Sequence, residues 1–170
     1  MEKQTQERPS ETESARDGSR DFDFLFGTWK VRNRRLRARL RGGAEWDEFD
    51  AVSTNRPVWG GAANLEEWDG VGPNGRIQGL ALRLYDPAAR QWSIHWSTRA
   101  TGVLEKAMVG QFRDGRGDFY DQELFEGRSI FVRLTWCDIT PTTCRWEQAF
   151  SADGGRSWET NWIMRFTRID

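Results

Sequence analysis

Apolar residues recur at every second position along most of this chain, and this alternation limits the folds open to it. "QWSIHWS" places Trp92, Ile94 and Trp96 on one face, and "SIFVRLTW" (129–136) repeats the pattern. A period of two is typical of half-buried strands, whereas an amphipathic helix repeats about every 3.6 residues. No stretch after Gly27 has a convincing helical pattern. The chain is therefore predicted to be all-β.

The alternating runs number about ten, and turn sequences such as "RDGRGD" and "SADGGRS" separate them. Many short antiparallel strands indicate a sandwich or a closed barrel, and strands joined in sequence favour a single up-and-down β-barrel. Closure also removes exposed strand edges. The predicted strands cover residues 28–40, 45–54, 57–69, 76–85, 91–98, 106–113, 117–125, 129–137, 144–151 and 158–167.

Two segments bear on which side chains enter the barrel. "QGLALRLYD" groups Leu80, Leu82 and Leu84 on an apolar face, opposite a face that carries Arg83. The basic run "VRNRRLRARLR" (31–41) is predicted as a strand whose charges lie on a solvated face.

The amino-terminal segment differs from the rest. Residues 1–20 contain no aromatic residue, no Leu and no β-branched aliphatic residue, so they are predicted to form a disordered tail before a domain at 21–170. "DFDFLF" then predicts a short helical turn that Gly27 ends. We expect a cytoplasmic protein, since the start lacks a secretory signal pattern and no apolar run reaches the roughly 18–20 residues of a membrane span.

The formal net charge of −1 gives no overall attraction to nucleic acid or to an anionic membrane, and neither is expected as a partner. Cys137 and Cys144 flank the loop "DITPTT". A cross-strand disulfide between them is geometrically possible, whereas reduced thiols are the expectation for a cytosolic chain.

The segment "FGTWKV" resembles the G-x-W signature of the lipocalin and calycin barrels. That resemblance implies that Trp29, on the first strand, closes one barrel end after Gly27. It also implies that an arginine near the last strand packs over this ring, and Arg165 and Arg168 are both candidates. Residues 21–168 further resemble a bacterial calycin-like family with a "DFDFLxGTW" opening, an "LRLYDP…WSIxW" middle and a "WEQAFSxDGGxTWExNWI" close. The resemblance implies a fold and no particular activity.

"SADGGRSWETNW" (151–162) resembles the Asp-box hairpin that recurs in sialidase propellers. A propeller needs repeated four-stranded blades, and this chain has one such box and about ten strands in all. The motif is therefore interpreted as a structural hairpin. Asp153 is expected to accept backbone N–H bonds, Gly155 to allow a positive φ and Trp158 to pack over the turn.

Ten Trp and ten Phe against two Tyr give the chain an unusual aromatic content. Trp side chains can fill a core or line a cavity. The leading hypothesis is a binding barrel for a small apolar or aromatic molecule, with a cavity of several hundred Å³. The predicted ligand-binding residues are Asn33, Trp46, Trp59, Asn64, Trp96, Trp136, Trp146, Gln148 and Trp162. The small residues that follow Trp59 fit either a cavity wall or a corner between strands.

The alternative hypothesis is a cofactor-independent enzyme, for example a cyclase, isomerase or hydratase, that uses the same cavity. A carboxylate that shares a face with large aromatics could be desolvated into the acid–base range, although a solvated outer position is the competing interpretation. The candidate proton-transfer residues are His95, Glu48, Asp121, Glu123 and Tyr85.

His95 is the only histidine, so a multi-histidine metal site is excluded and no metal site is predicted. Some calycin-like barrels bind haem through a histidine near the carboxyl terminus. Because His95 lies mid-chain, haem is not expected and no cofactor is predicted. A third possibility is a homodimeric scaffold whose interface uses exposed aromatics such as Phe131.

Overall fold

The computed structural model of the chain describes residues 17–170, which form a closed barrel of ten antiparallel strands. Each strand pairs with its sequence neighbours, and the first pairs with the last, so the predicted up-and-down barrel is confirmed. No helix among these residues has the length and apolar character of a membrane span. The strands are β1 Gly27–Leu36, β2 Trp46–Val58, β3 Ala63–Gly72, β4 Gly75–Asp86, β5 Gln91–Thr98, β6 Met108–Arg113, β7 Arg116–Phe125, β8 Arg128–Cys137, β9 Thr143–Ser151 and β10 Glu159–Arg168.

The largest departure from the predicted strands lies between β2 and β3. The prediction began a new strand at residue 57, whereas β2 continues to Val58 and a 3-10 turn, Trp59–Gly61, separates it from β3. Three consecutive positive φ angles, 52° at Trp59, 66° at Gly60 and 103° at Gly61, end the strand there. This segment is a corner, which decides between the two interpretations of its small residues.

The first strand is shorter than predicted, and the residues that follow it fold back over one barrel end. β1 ends at Leu36, and residues 37–45 form the β1–β2 loop. The backbone N–H of Leu40 donates to Glu159 at 2.8 Å, and Arg41 pairs with Glu126 at 2.6 Å. These contacts join the loop to β10 and to the β7–β8 turn, so it covers part of this opening, which we call the mouth.

A short 3-10 turn, Asp23–Leu25, plugs the opposite end of the barrel. Phe22 and Leu25 are fully buried, and the Phe22 ring meets the edges of Trp92 at 5.0 Å and Phe112 at 4.9 Å. This turn corresponds to the helical turn predicted for "DFDFLF". Apolar side chains therefore seal this end, which we call the closed end.

Residues 17–20 also pack at the closed end, although the prediction included them in a disordered tail. Trp92 Nε1 donates to the carbonyl of Gly18 at 2.9 Å, and the Tyr85 hydroxyl donates to the carbonyl of Asp17. Residues 17–20 therefore contribute backbone contacts to the closed end of the barrel. The remainder of the predicted tail, residues 1–16, lies outside the described residues.

Trp29 and Arg168 join the first and last strands at the closed end. The Trp29 side chain is fully buried, and the Arg168 guanidinium lies 4.1 Å from its ring centroid. Arg168 also donates to the carbonyls of Phe26 at 2.6 Å, Phe24 at 2.8 Å and Pro141 at 2.9 Å. Of the two candidate arginines, Arg168 takes this position.

Gly27 is required by the same arrangement. Its φ is +110°, and a Cβ at this position would lie 2.6 Å from Nη1 of Arg168. A side chain there would displace the arginine that covers Trp29, so the glycine belongs to the closure of the barrel.

Asp153 organises the turn between β9 and β10. Its carboxylate accepts hydrogen bonds from the backbone N–H groups of Arg156 at 3.0 Å and Ser157 at 2.9 Å. Hydroxyl donors from Ser151 and Ser157 complete the set and hold the pKa of Asp153 well below its ordinary value. Gly155 has a φ of +86°, and Trp158 Nε1 donates to its carbonyl at 3.2 Å. These hydrogen bonds within the turn account for the residues of the motif as elements that stabilise the hairpin.

The two cysteines are both free and buried. Arg145, rather than Cys144, lies opposite Cys137 in the β8–β9 ladder, and Cys137 alternates with the inward-facing Trp136. Cys144 instead packs in the core, where burial raises the pKa of its thiol to about 12. The hairpin therefore does not bring the two thiols together, and both are poor nucleophiles.

We predict that Arg168→Lys lowers the free energy of unfolding by about 2–3 kcal/mol, because an ammonium cannot reproduce the donor fork or the stacking on Trp29. Arg165→Lys is the matched control, since Arg165 lies three residues earlier on the exposed outer face. Its effect should stay within about 0.5 kcal/mol. Urea denaturation followed by Trp fluorescence measures both, and equal losses would contradict the closure role of Arg168.

Candidate functional site

The barrel interior contains a cavity of about 350 Å³ on the mouth side of the plug. Its lining comes from nine of the ten strands and from the β1–β2 and β5–β6 loops. The size falls within the usual range of small-molecule sites. The barrel is thus sealed at one end and hollow towards the other.

Five tryptophans form most of the aromatic lining: Trp68, Trp96, Trp136, Trp146 and Trp162. Trp162 lies at the centre of this group, with ring centroids 5.7 Å from Trp146 and 6.5 Å from Trp68 and nearly perpendicular ring planes. Aliphatic side chains such as Ile94, Val132 and Leu134 complete the walls. These surfaces can pack against a flat or an aliphatic molecule.

The polar floor of the cavity is built around a buried ion pair between Arg83 and Glu66. The two residues are only 2% and 4% exposed, so each charge depends on the other for compensation. Arg83 also donates to Asn64 Oδ1 at 2.9 Å and to Asn55 Oδ1 at 3.2 Å. Ser53 donates to the second carboxylate oxygen of Glu66 at 2.6 Å. Both charged groups are thereby held in fixed positions.

Several buried donors near the floor have no hydrogen-bond partner among the described residues. They are Arg83 Nε, Asn64 Nδ2, Trp68 Nε1 and Trp136 Nε1. An unsatisfied buried donor costs about 1–3 kcal/mol. A molecule that carries an acceptor at its inner end would therefore find donors there.

Two arginines lie at the mouth on one side of the cavity. The Arg35 guanidinium stacks 4.4 Å from the Trp162 ring centroid. Arg39, from the β1–β2 loop, lies 5.0 Å from the ring centroid of Phe125 and 5.5 Å from that of Phe150. Burial lowers the pKa of both guanidinium groups, and at Arg35 the nearby charge of Arg39 adds to this effect.

The lining contributed by β7 and by the segment before β6 carries acidic groups. Lys106 pairs with Asp121, whose side chain is 4% exposed. Glu123 and Glu105 also line the cavity. Desolvation raises the pKa of Glu123, and the negative charges of Asp121 and Glu105 add to the increase. Glu123 is therefore a carboxyl group that protonates more readily than an ordinary glutamate.

Five of the predicted ligand-binding residues line the cavity: Trp96, Trp136, Trp146, Gln148 and Trp162. Asn33 and Asn64 lie behind the lining, where Asn33 accepts a hydrogen bond from Trp162 at 3.0 Å and Asn64 accepts one from Arg83. The predicted interior positions of Trp46 and Trp59 are wrong. Trp46 stacks with Arg34 on the outer face, and Trp59 is 76% exposed at the β2–β3 corner.

The five candidate proton-transfer residues are dispersed rather than gathered into one site. Glu123 lines the cavity and Asp121 lies beside it in the pair with Lys106. Glu48 pairs with Arg32 on the outer face, and His95 alternates with the inward Ile94 and Trp96, so neither reaches the cavity. Tyr85 is engaged at the closed end. A cavity role for Glu48, His95 or Tyr85 does not fit these positions.

No group of three or more His, Cys, Asp or Glu side chains within residues 17–170 is arranged to hold a metal ion. His95 points away from the cavity, so it could not serve as the axial ligand of a haem placed inside. The prediction that the protein uses no cofactor stays a prediction.

The lining residues that were not predicted include Trp68 and most of the charged ones: Arg35, Arg39, Glu66, Arg83, Glu105 and Lys106. Asn64 was predicted to face inward, and strand alternation from it would have indicated Glu66 and Trp68. In β4 the apolar face is the outer one, since Leu80, Leu82 and Leu84 point outward while Ala81 and Arg83 are buried. In β1, Arg35 shares the inward alternation of Trp29 and Val31.

Two broader depressions lie on the outer surface, one beside β1–β4 and one beside β2–β5, with volumes of about 460 and 640 Å³. Both are shallow and open to solvent. Phe131 is 38% exposed on another part of the outer wall, and a dimer through that face stays a prediction.

Comparison with solved structures supports the β-barrel fold. The chain is similar to the S-type phycobiliprotein lyase CPES from Guillardia theta, with a TM-score of 0.58, 14% identity, and coverage of 88% of this chain and 90% of the lyase. It is also similar to the redesigned β-barrel mFAP0 bound to DFHBI, with a TM-score of 0.47, 14% identity and coverage of 85% and 99%. No protein-family model and no curated protein sequence matches the chain. At this identity the likeness shows the fold alone.

We predict that Arg83→Met lowers the free energy of unfolding by about 3–5 kcal/mol, because the Glu66 carboxylate would remain buried without its partner. The double variant Arg83→Met with Glu66→Leu should recover part of this loss, since no unpaired charge remains. Chemical denaturation of the two single variants and the double variant measures the coupling. The exposed pair Arg76–Asp69 is the control, and its Arg76→Met variant should have little effect. A double variant no more stable than either single variant would contradict this account.

Proposed function

We propose that this protein binds a small, largely apolar or aromatic molecule inside its barrel. The observation that carries the proposal is the cavity of about 350 Å³, which is open towards the mouth and lined by five tryptophans. A barrel interior that was filled completely by side chains would have no such space. A cavity lined mainly by apolar and aromatic groups, with a few fixed polar groups, is the usual form of a small-molecule site.

The shape of the cavity supports one ligand of modest size. The Trp162 ring is nearly perpendicular to those of Trp146 and Trp68, so the group offers both faces and edges to a flat molecule. The Arg83–Glu66 pair fixes the inner boundary, so a ligand's inner end would meet polar groups. A molecule with a largely apolar body and a few polar groups suits this arrangement.

Two further parts of the proposal rest on sequence. We place the chain in the bacterial calycin-like family whose opening, middle and closing motifs it resembles, and the shared barrel of the phycobiliprotein lyase supports the fold part of that assignment. A cytoplasmic location is proposed alongside it. Neither bears on the identity of the ligand.

Binding can be tested with N-phenyl-1-naphthylamine, a neutral aromatic probe whose fluorescence rises in an apolar site. We expect saturable binding to the wild type, and at least about tenfold weaker binding to Ala81→Met or Val132→Met, because the added side-chain volume occupies the cavity. Leu80→Met is the matched control on the outer face of β4 and should bind as the wild type does.

Near-ultraviolet circular dichroism of the tryptophans establishes that each variant keeps the barrel. If the folded wild type fails to bind the probe, or if the two interior variants bind it as well as Leu80→Met does, the proposed binding function is wrong.

Glu123 favours a second function, a cofactor-independent enzyme in the same cavity. It is the one residue of the five acid–base candidates that lines the cavity, and its raised pKa brings it closer to the range useful for proton transfer. In that case Glu123 would donate or accept the proton while the tryptophans hold the substrate.

The two functions are separated by following the compound that co-purifies with the protein from the organism that encodes it. Native mass spectrometry identifies the compound, which is then added back to wild type and to Glu123→Gln. If the protein is an enzyme, the wild type should convert the compound, whereas Glu123→Gln should only retain it. An unchanged compound with both proteins would contradict catalysis and leave binding.

A further inference from the structure

Arg35 and Arg39 form a pair of positive charges on the lining of the cavity, and no acidic side chain within residues 17–170 forms a direct ion pair with either. Neither guanidinium has a carboxylate within 4.0 Å among residues 17–170, although thirteen other ion pairs occur there. Both are half-buried against aromatic rings rather than extended into solvent. Two partly desolvated like charges near each other are unfavourable without an anion.

The acidic residues around this pair are already engaged with other groups. Asp47 pairs with Arg37 at 2.6 Å, and Glu126 pairs with Arg41 at 2.6 Å. Glu159 accepts the backbone N–H of Leu40 at 2.8 Å. The local structure therefore leaves Arg35 and Arg39 available to a further anion.

The position of the two arginines is also set by the fold. Arg35 lies on β1, beside Trp162 in the β1–β10 ladder, and Arg39 is carried by the β1–β2 loop that Leu40 and Arg41 attach to the barrel. Each guanidinium packs on an aromatic face, which leaves its N–H edge free to donate. Forked donors of this kind match the two oxygens of a carboxylate.

We propose that Arg35 and Arg39 form a subsite for the carboxylate of the ligand, so that the barrel takes an aromatic or aliphatic carboxylic acid with its acid group at the mouth. This inference rests on the proposed binding function and specifies its ligand class. Glu105 and Glu123 on the lining from the β6–β7 side disfavour an anion there, which fixes the acid group to the arginine side. The apolar body then extends inward between Trp146, Trp162 and Trp68.

The test uses N-phenyl-1-naphthylamine as a neutral reporter and measures its displacement by 2-naphthoate and by 2-naphthamide. These two competitors have nearly the same shape and differ in charge. We expect 2-naphthoate to displace the reporter at about tenfold lower concentration than 2-naphthamide, since a charge-assisted pair is stronger than a neutral hydrogen bond. The advantage should shrink as NaCl is raised, whereas 2-naphthamide should be unaffected.

Arg35→Met and Arg39→Met should each remove most of the advantage of 2-naphthoate over 2-naphthamide, measured as the ratio of the two displacing concentrations within the same variant. Arg34→Met is the matched control. Arg34 lies next to Arg35 on β1, but it stacks on Trp46 at the outer face.

A reporter that binds, together with equal displacement by the acid and the amide, would overturn the subsite and leave the proposed function intact. Equal loss of the advantage of 2-naphthoate in Arg34→Met would also overturn it. The advantage would then reflect the overall charge of the protein rather than the two arginines at the mouth. Failure of the wild type to bind the reporter would overturn the proposed function itself. A 2-naphthyl phosphate that displaces the reporter better than 2-naphthoate would overturn the assignment to carboxylates.

Discussion

Closure of the barrel at the β1–β10 seam is the interaction on which the rest of this structure depends. Trp29 on β1 and Arg168 on β10 meet there, and the carbonyls that accept from Arg168 belong to the plug segment and the β8–β9 loop. A single guanidinium therefore joins the two ends of the sheet to the segment that seals one opening. Because that end is filled with Phe and Trp side chains, any interior space must lie on the other side.

The cavity exists because the interior mixes large aromatic rings with small and charged groups. Gly79 and Ala81 on β4 provide little volume, and a Cβ at Gly79 would overlap the ring of Trp96. Arg83 on β4 pairs with Glu66 on the adjacent β3 at the floor, where a paired charge network replaces apolar packing. Such a network is rigid but cannot fill space as interlocking hydrocarbon side chains do. The hollow above it follows from this composition.

Strand alternation predicted the architecture well and the inside of the barrel less well. In β4 the three leucines lie on the outer wall and Arg83 lies inside, because Glu66 on the neighbouring strand supplies its partner. The basic run of β1 was predicted to face solvent, whereas Arg35 lines the cavity. Hydrophobicity alone therefore does not identify the inward face of these two strands, because contacts with other strands decide it. The predicted interior position of Trp46 is wrong for the opposite reason, since the Arg34 guanidinium stacks on its ring on the outer wall.

The sequence by itself determined what is local: a period of two, the turns rich in Gly and Asp, the Asp153 hairpin, and the Trp29 segment that begins the barrel. These depend on a residue and its near neighbours, so one sequence is enough to find them. Only the tertiary structure decided which arginine covers Trp29, that Arg83 and Glu66 meet, and that Arg35 and Arg39 stand together at the mouth. Those facts depend on the register of strands distant in the chain, and a shift of one residue would turn each of these side chains to the opposite face.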